Sequence, residues 1–289
     1  MAEHVEPTPE VGGFLHPLSK LRGPEGDGAA APLDVRPAVR RIELADLRAA
    51  LDAGWQDFSA HRADVVLLCV LYPAVGLILS RAAYGADFLP LVFPLAAGFA
   101  LLGPLAATGL YEMNRRMEAG EQVNWLTAFA ILRARSFTAV VVLGLVFGLL
   151  LVVWLRLAAL IYEAYFGAAA PHSLATFLAG VFGTANGWRM IVTGDLVGLC
   201  FAVVALVVGT FSFPMLIDGR HGRSTGERIS LAVGTSLAAA RANPVPLAAW
   251  GLIVAAGLVL GSIPLFLGLL IVLPVLGHAT WHLYRRVVA

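Results

Sequence analysis

His278 and His282 stand four residues apart near the end of the chain, and two imidazoles at that spacing share one face of a helix. Such a pair can ligate one metal ion, or one of the two a haem iron, so copper or haem is the cofactor it would hold. A stable metal site needs a third and usually a fourth ligand. His61 and Glu112 fall at about the same level and complete a set only if the fold gathers those helix ends. The other reading makes His278, Trp281, His282 and Tyr284 anchors at headgroup depth, where amphipathic rings collect. Arg156 and Asp195 are the second candidates, with Glu163 nearby, because ionisable groups inside apolar runs are costly and point to function. Both approach the same end of their runs, so a charge pair is expected. It would be an ion or proton relay on one reading, and a fixing pair or an outward-snorkelling arginine on the other.

These residues sit in a chain that is 59% hydrophobic and only 13% charged. Between Asp64 and Tyr284, long apolar runs alternate with short Arg-bearing segments. Runs of that length cross a bilayer as helices, since every backbone polar group must be satisfied inside the segment. The expected fold is therefore all-α, a polytopic bundle of six transmembrane helices at 62–84, 88–111, 137–162, 189–215, 245–261 and 264–284. The second run contains Pro90, Pro94 and Pro104. The last two are separated by Gly261, Ser262 and Pro264, which break a stretch too long for one crossing. Residues 1–39 carry six acidic side chains, six prolines and five glycines without an apolar core run. They read as a disordered cytoplasmic tail ahead of a membrane domain over 40–286.

Charge sets the expected orientation. Arg40, Arg41, Arg48 and Arg62, then Arg115, Arg116, Arg133 and Arg135, then Arg220, Arg223, Arg228 and Arg241, and finally Arg285 and Arg286 all fall on one side. The other side holds Arg81 and Arg189. The positive-inside rule then places both termini in the cytoplasm, with the bacterial inner membrane as the location. Three repeats of a surface helix followed by two spans are expected. The first surface helix carries Leu44, Leu47, Leu51, Trp55 and Phe58 as its stripe. The second runs near Val123 to Arg135. The third carries Ile229, Val233, Leu237 and Ala240 and is stopped by Asn243-Pro244. An insertion at 166–188 holds a short amphipathic run from Leu174 to Phe182. Cys69 and Cys200 lie in apolar runs and read as packing residues. Gly144 and Gly148, Gly194 and Gly198, and Gly257 and Gly261 are spaced for close helix approach, within one protomer or between two.

No Walker loop, HExxH, nucleophile elbow or dinucleotide fingerprint appears in a believable setting, so no catalytic residue is assigned. The soluble segments are too short for a catalytic domain. The arginine clusters are accounted for by topology, so nucleic acid is not an expected partner.

Several strings together resemble a bacterial family of integral membrane proteins of unknown function. They are Phe93-Pro94-Leu95-Ala96-Ala97-Gly98-Phe99, Gly103-Pro104, Gly109-Leu110-Tyr111-Glu112, Trp154-Leu155-Arg156, Phe213-Pro214-Met215, Asn243-Pro244 and the run from Leu273 to His282. The resemblance extends over roughly 40–286. Some members of that family have been labelled cytochrome c oxidases, which implies a haem or copper role. This chain departs from a haem-copper catalytic subunit, which has about twice as many helices and histidine ligands spread over several of them. The expected function is a non-enzymatic accessory role, acting on membrane lipids, another membrane protein or a respiratory complex. The alternatives are a small-solute transporter or channel, and a haem- or copper-binding protein beside a respiratory oxidase.

Overall fold

The computed structural model describes residues 37–62, 65, 90–168, 171, 173–219, 222, 224–264 and 267–288. The expected tail up to residue 36, nearly all of the first span and Cys69 lie outside them. The described residues are helical: α1 (Leu44–Ala60), α2 (Val92–Leu101), α3 (Gly103–Ala106), α4 (Thr108–Glu118), a 3₁₀ helix (Trp125–Arg133), α5 (Phe137–Phe166), α6 (Leu174–Gly183), α7 (Ala185–Asp218), α8 (Thr225–Ala242), α9 (Pro244–Ser262) and α10 (Leu269–Val287). The one extended pairing among them joins Val39 to Val288, with the Arg40 amide donating to the Val287 carbonyl at 2.8 Å.

Among the described residues, three helices are long and apolar enough to cross a membrane: α5, α7 and α9. Large apolar side chains such as Leu145, Leu149, Leu196 and Leu199 project outward from them, 59–68% exposed. In hydrocarbon that exposure carries no penalty, whereas in water it would. The expected second span is not one helix. It divides at Leu102 and Ala107 into α2, α3 and α4, and the break at Leu102 follows from Pro104, which lacks the amide that would continue the ladder and crowds the preceding turn. The expected hairpin between α9 and α10 forms, and the backbones close at its turn. A Cβ on Gly268 would lie 2.8 Å from Gly261 Cα.

Two expected stripes are rotated. On α1 the buried face is Leu47, Ala50, Gly54 and Phe58, while Leu44 and Trp55 stay 56% and 53% exposed. The small residues win because α1 packs backbone to backbone on α10. A Cβ at Gly54 would stand 2.6 Å from the Ala279 amide nitrogen and 2.7 Å from the Val275 carbonyl oxygen. On α8 the buried face is Leu231, Ala232, Thr235, Ser236 and Ala239, with the expected Ile229, Val233, Leu237 and Ala240 beside it. Small side chains again allow close approach, here to α7, where Ser236 Oγ donates to the Val207 carbonyl at 2.7 Å.

Asn243 ends α8 and Pro244 starts α9, as the sequence indicates. Asn243 is buried with its amide in use on both sides. Its Oδ1 accepts from the Ile42 amide at 2.8 Å, and its Nδ2 donates to the carbonyls of Arg40 at 3.0 Å and Ala239 at 3.2 Å. The chain entering α1 is thereby tied to the α8–α9 corner. Of the paired glycines, Gly144 meets Leu105, Gly198 meets Trp154 and Gly257 meets Val272, all within the chain, whereas Gly148 and Gly194 face open space.

Candidate functional site

The polar chemistry of the fold gathers at one end, around the last three turns of α10. His278 is fully buried, and its Nδ1–H donates to Asn114 Oδ1 on α4 at 2.8 Å. Neither His278 Nε2 nor Asn114 Nδ2 has a hydrogen-bond partner. One turn on, Trp281 Nε1–H donates to Glu118 Oε1 at 2.8 Å, and its ring stacks on Tyr111 at 6.3 Å. His282 faces α1 instead, with its Nε2 2.6 Å from Asp57 Oδ2. Tyr284 donates its hydroxyl to Asp218 Oδ2 at 2.9 Å.

Arg285 closes this layer. Its guanidinium reaches Glu118 Oε2 on α4 at 2.6 Å and Asp218 Oδ2 at the end of α7 at 3.1 Å, and it lies 4.9 Å from the centre of the Trp281 ring. The arrangement is a charge-assisted fork bridging two carboxylates from helices that would otherwise present like charges to each other. Arg286 extends it to Asp46 on α1 at 3.0 Å. One helix thus makes polar contacts with α1, α4 and α7 in succession.

A second knot sits on α4. Glu112 is only 2% exposed, and its carboxylate takes Arg115 at 2.7 Å and Arg116 at 2.8 Å. Burial alone would push that carboxyl up, but the two guanidiniums outweigh it and hold Glu112 below the ordinary 4.5. Arg116 also reaches Glu121 at 2.9 Å. Glu112 is therefore engaged on its own helix and does not turn toward the histidines.

The structure separates what the sequence paired. His278 and His282 share a helix, yet one is held by α4 and the other by α1. Among the described residues no group of three or more His, Cys, Asp or Glu side chains could hold a metal ion. Three of the four ring residues read as headgroup anchors are interior instead, His278 and Trp281 at 0% exposed and Tyr284 at 1%, while His282 is half-buried. Arg156 and Asp195 are both exposed, and among the described residues no ion pair joins them. The reason is helical phase. Trp154 takes the face toward α7, where it packs on Gly198 and donates to the Pro94 carbonyl at 2.8 Å. Arg156, two residues on, is turned about 200° away. Asp57, Asn114, Glu118 and Asp218 were missed as site residues. Their signal was a carboxylate or amide near each helix end on the basic side, matching the cations of α10.

Residues 92–218 match the family model DUF2189, described as a predicted integral membrane protein. The DUF2189 match begins at the first residue of α2 and ends at the last residue of α7. It is narrower than the 40–286 over which the motifs run, and the strings from Asn243 to His282 lie beyond it. It contains Glu112, Asn114, Glu118 and Asp218, while the α10 side chains that meet the last three lie outside. No curated protein and no solved structure matches the chain.

Proposed function

We propose that this chain is a six-span inner-membrane protein with both termini in the cytoplasm, without catalytic activity, that works by engaging anionic lipid on its basic face. The observation that carries the reading is the 3₁₀ helix ahead of α5. Its Trp125, Leu126, Phe129 and Leu132 are 37%, 57%, 41% and 56% exposed, and Arg133 and Arg135 follow at once. An apolar face of that size next to arginines suits the boundary between acyl chains and anionic headgroups. The sorting of arginines to one side supports the orientation. Purification in mild detergent with counting of retained phospholipids tests the reading. Enrichment of anionic over zwitterionic lipid relative to the source membrane is expected, and a bulk-like complement would overturn it. A visible absorption spectrum of the same sample bears on the redox alternative, and a Soret band would replace the non-catalytic reading with a haem one. Alkaline phosphatase fused after Arg223 is expected to be inactive, and active fusion enzyme would reverse the orientation.

A further inference from the structure

The arginines on the basic side divide into two kinds. Arg48, Arg115, Arg116, Arg285 and Arg286 each have a carboxylate within 4.0 Å. Arg40, Arg41, Arg133, Arg135, Arg228 and Arg241 have none among the described residues, and of these Arg135 and Arg228 come together with Gly222 and Thr225 around an open recess of about 510 Å³. Arg228 is held in place without being neutralised. Its Nε donates to the Gly222 carbonyl at 3.1 Å, a bond that does not use either terminal nitrogen. Gly222 makes that possible. It has φ +79°, and a Cβ there would stand 2.8 Å from Arg228 Cγ. The nearby Glu227 turns into the cap of α8, where its carboxylate accepts from the Ser224 amide at 3.1 Å. Two guanidiniums from segments about ninety residues apart thus flank one cavity, with a hydroxyl at its edge.

We propose that this recess binds a phosphate group, with Arg135 and Arg228 as its two clamps and Thr225 as a hydroxyl donor. Guanidinium forks match the geometry of phosphate oxygens, and basic pockets at the cytoplasmic ends of membrane helices suit phospholipid headgroups. The exposed Phe129 and Leu132 lie a turn or two before Arg135, where acyl chains of a bound lipid would run. The proposal rests on the lipid-engaging reading above and narrows it to one site. The phosphate belongs either to an anionic phospholipid or to a free phosphate.

The test uses the full chain, reconstituted in vesicles of phosphatidylglycerol in phosphatidylcholine, with retained lipid counted by native mass spectrometry after extraction. R135Q/R228Q is compared with R40Q/R41Q, which removes two arginines of the same side that do not line the recess. Retention of phosphatidylglycerol is expected to weaken about 25-fold in the first, from about fivefold per arginine, and to stay unchanged in the second. If R135Q/R228Q fails to fold, R135K/R228K keeps the charge but loses the fork and should still weaken binding. Inorganic phosphate added to lipid-free protein separates the sources: binding there that competes with phosphatidylglycerol assigns the site to free phosphate, and its absence assigns the site to lipid. Equal retention by wild type and R135Q/R228Q would overturn the site while leaving the lipid reading intact. A wild type indifferent to phosphatidylglycerol and to phosphate would overturn both.

Discussion

Gly54→Ala is the smallest change that tests whether α1 is seated on α10 as the structure has it. The added Cβ would meet the Ala279 amide nitrogen at 2.6 Å and the Val275 carbonyl oxygen at 2.7 Å, both backbone atoms that no rotamer can move aside. Ordinary contact begins at 3.4 Å, so α1 must retreat by 3.4 − 2.6 = 0.8 Å. Overpacking of this kind costs about 1–3 kcal/mol. Alanine returns up to about 1 kcal/mol through helix propensity. The retreat also stretches His282–Asp57 from 2.6 Å and Arg286–Asp46 from 3.0 Å, half-exposed contacts each contributing up to about 1 kcal/mol. The net expectation is a loss of about 1–3 kcal/mol, read as an earlier midpoint in detergent-denaturant unfolding. Gly148→Ala is the control. Its Cβ meets nothing within 4 Å, so only the propensity gain remains and stability should hold or rise slightly. If G54A proves as stable as G148A, α1 does not rest on α10 at Gly54 and the contacts to His282 and Arg286 lose their basis.

Arg285→Met should cost about 2–3 kcal/mol, toward the low end for a broken buried pair because Arg285 is itself partly exposed, and should lower the thermal midpoint. Tyr284→Phe removes one hydrogen bond to Asp218 and should cost only about 1 kcal/mol in the same measurement. Asn243→Ala frees the Ile42 amide and the Arg40 carbonyl, so trypsin should cut after Arg40 or Arg41 markedly faster, and unchanged cleavage would mean the entry segment is held by something else. Glu112 gives a pH dependence with a definite sign. Its folded pKa is depressed, so its contribution is complete above the ordinary 4.5 and is lost as pH falls through the folded value. The wild-type midpoint should therefore drop on acidification below 4.5, whereas Glu112→Gln should start lower at neutral pH and lose less of its stability over that range.

Much of the fold was legible because apolar periodicity and punctuation act locally. α5, α7 and α9 follow from continuous apolar runs, and Asn243-Pro244 and the Gly261–Pro264 break mark real boundaries. What failed was helical phase. The large residues Leu44 and Trp55 looked like a buried stripe, yet close packing in a membrane bundle selects Ala50 and Gly54, whose value lies in what they lack. The same limit undid Arg156 with Asp195. Depth can be read from distance along a span, but which way a side chain points depends on where a bulky neighbour such as Trp154 takes its contact.

The polar layer shows why residue identity suggested a ligand site where the structure builds a joint. His278, Trp281, His282, Tyr284, Arg285 and Arg286 of α10 each find a complement on another helix, while Thr280 donates to the Leu276 carbonyl of its own helix. Glu118 and Asp218, ending α4 and α7 inside the matched segment, would leave two neighbouring carboxylates without Arg285 between them, and that is costly for Asp218, whose side chain is buried. The α10 helix supplies the missing cation, the two ring donors and the link to α1 together. Arg135 and Arg228 are among the arginines of the described basic side that meet no carboxylate, and these two line one cavity. A phosphate is the counter-ion that such a face, at the edge of a membrane, is chemically fitted to collect.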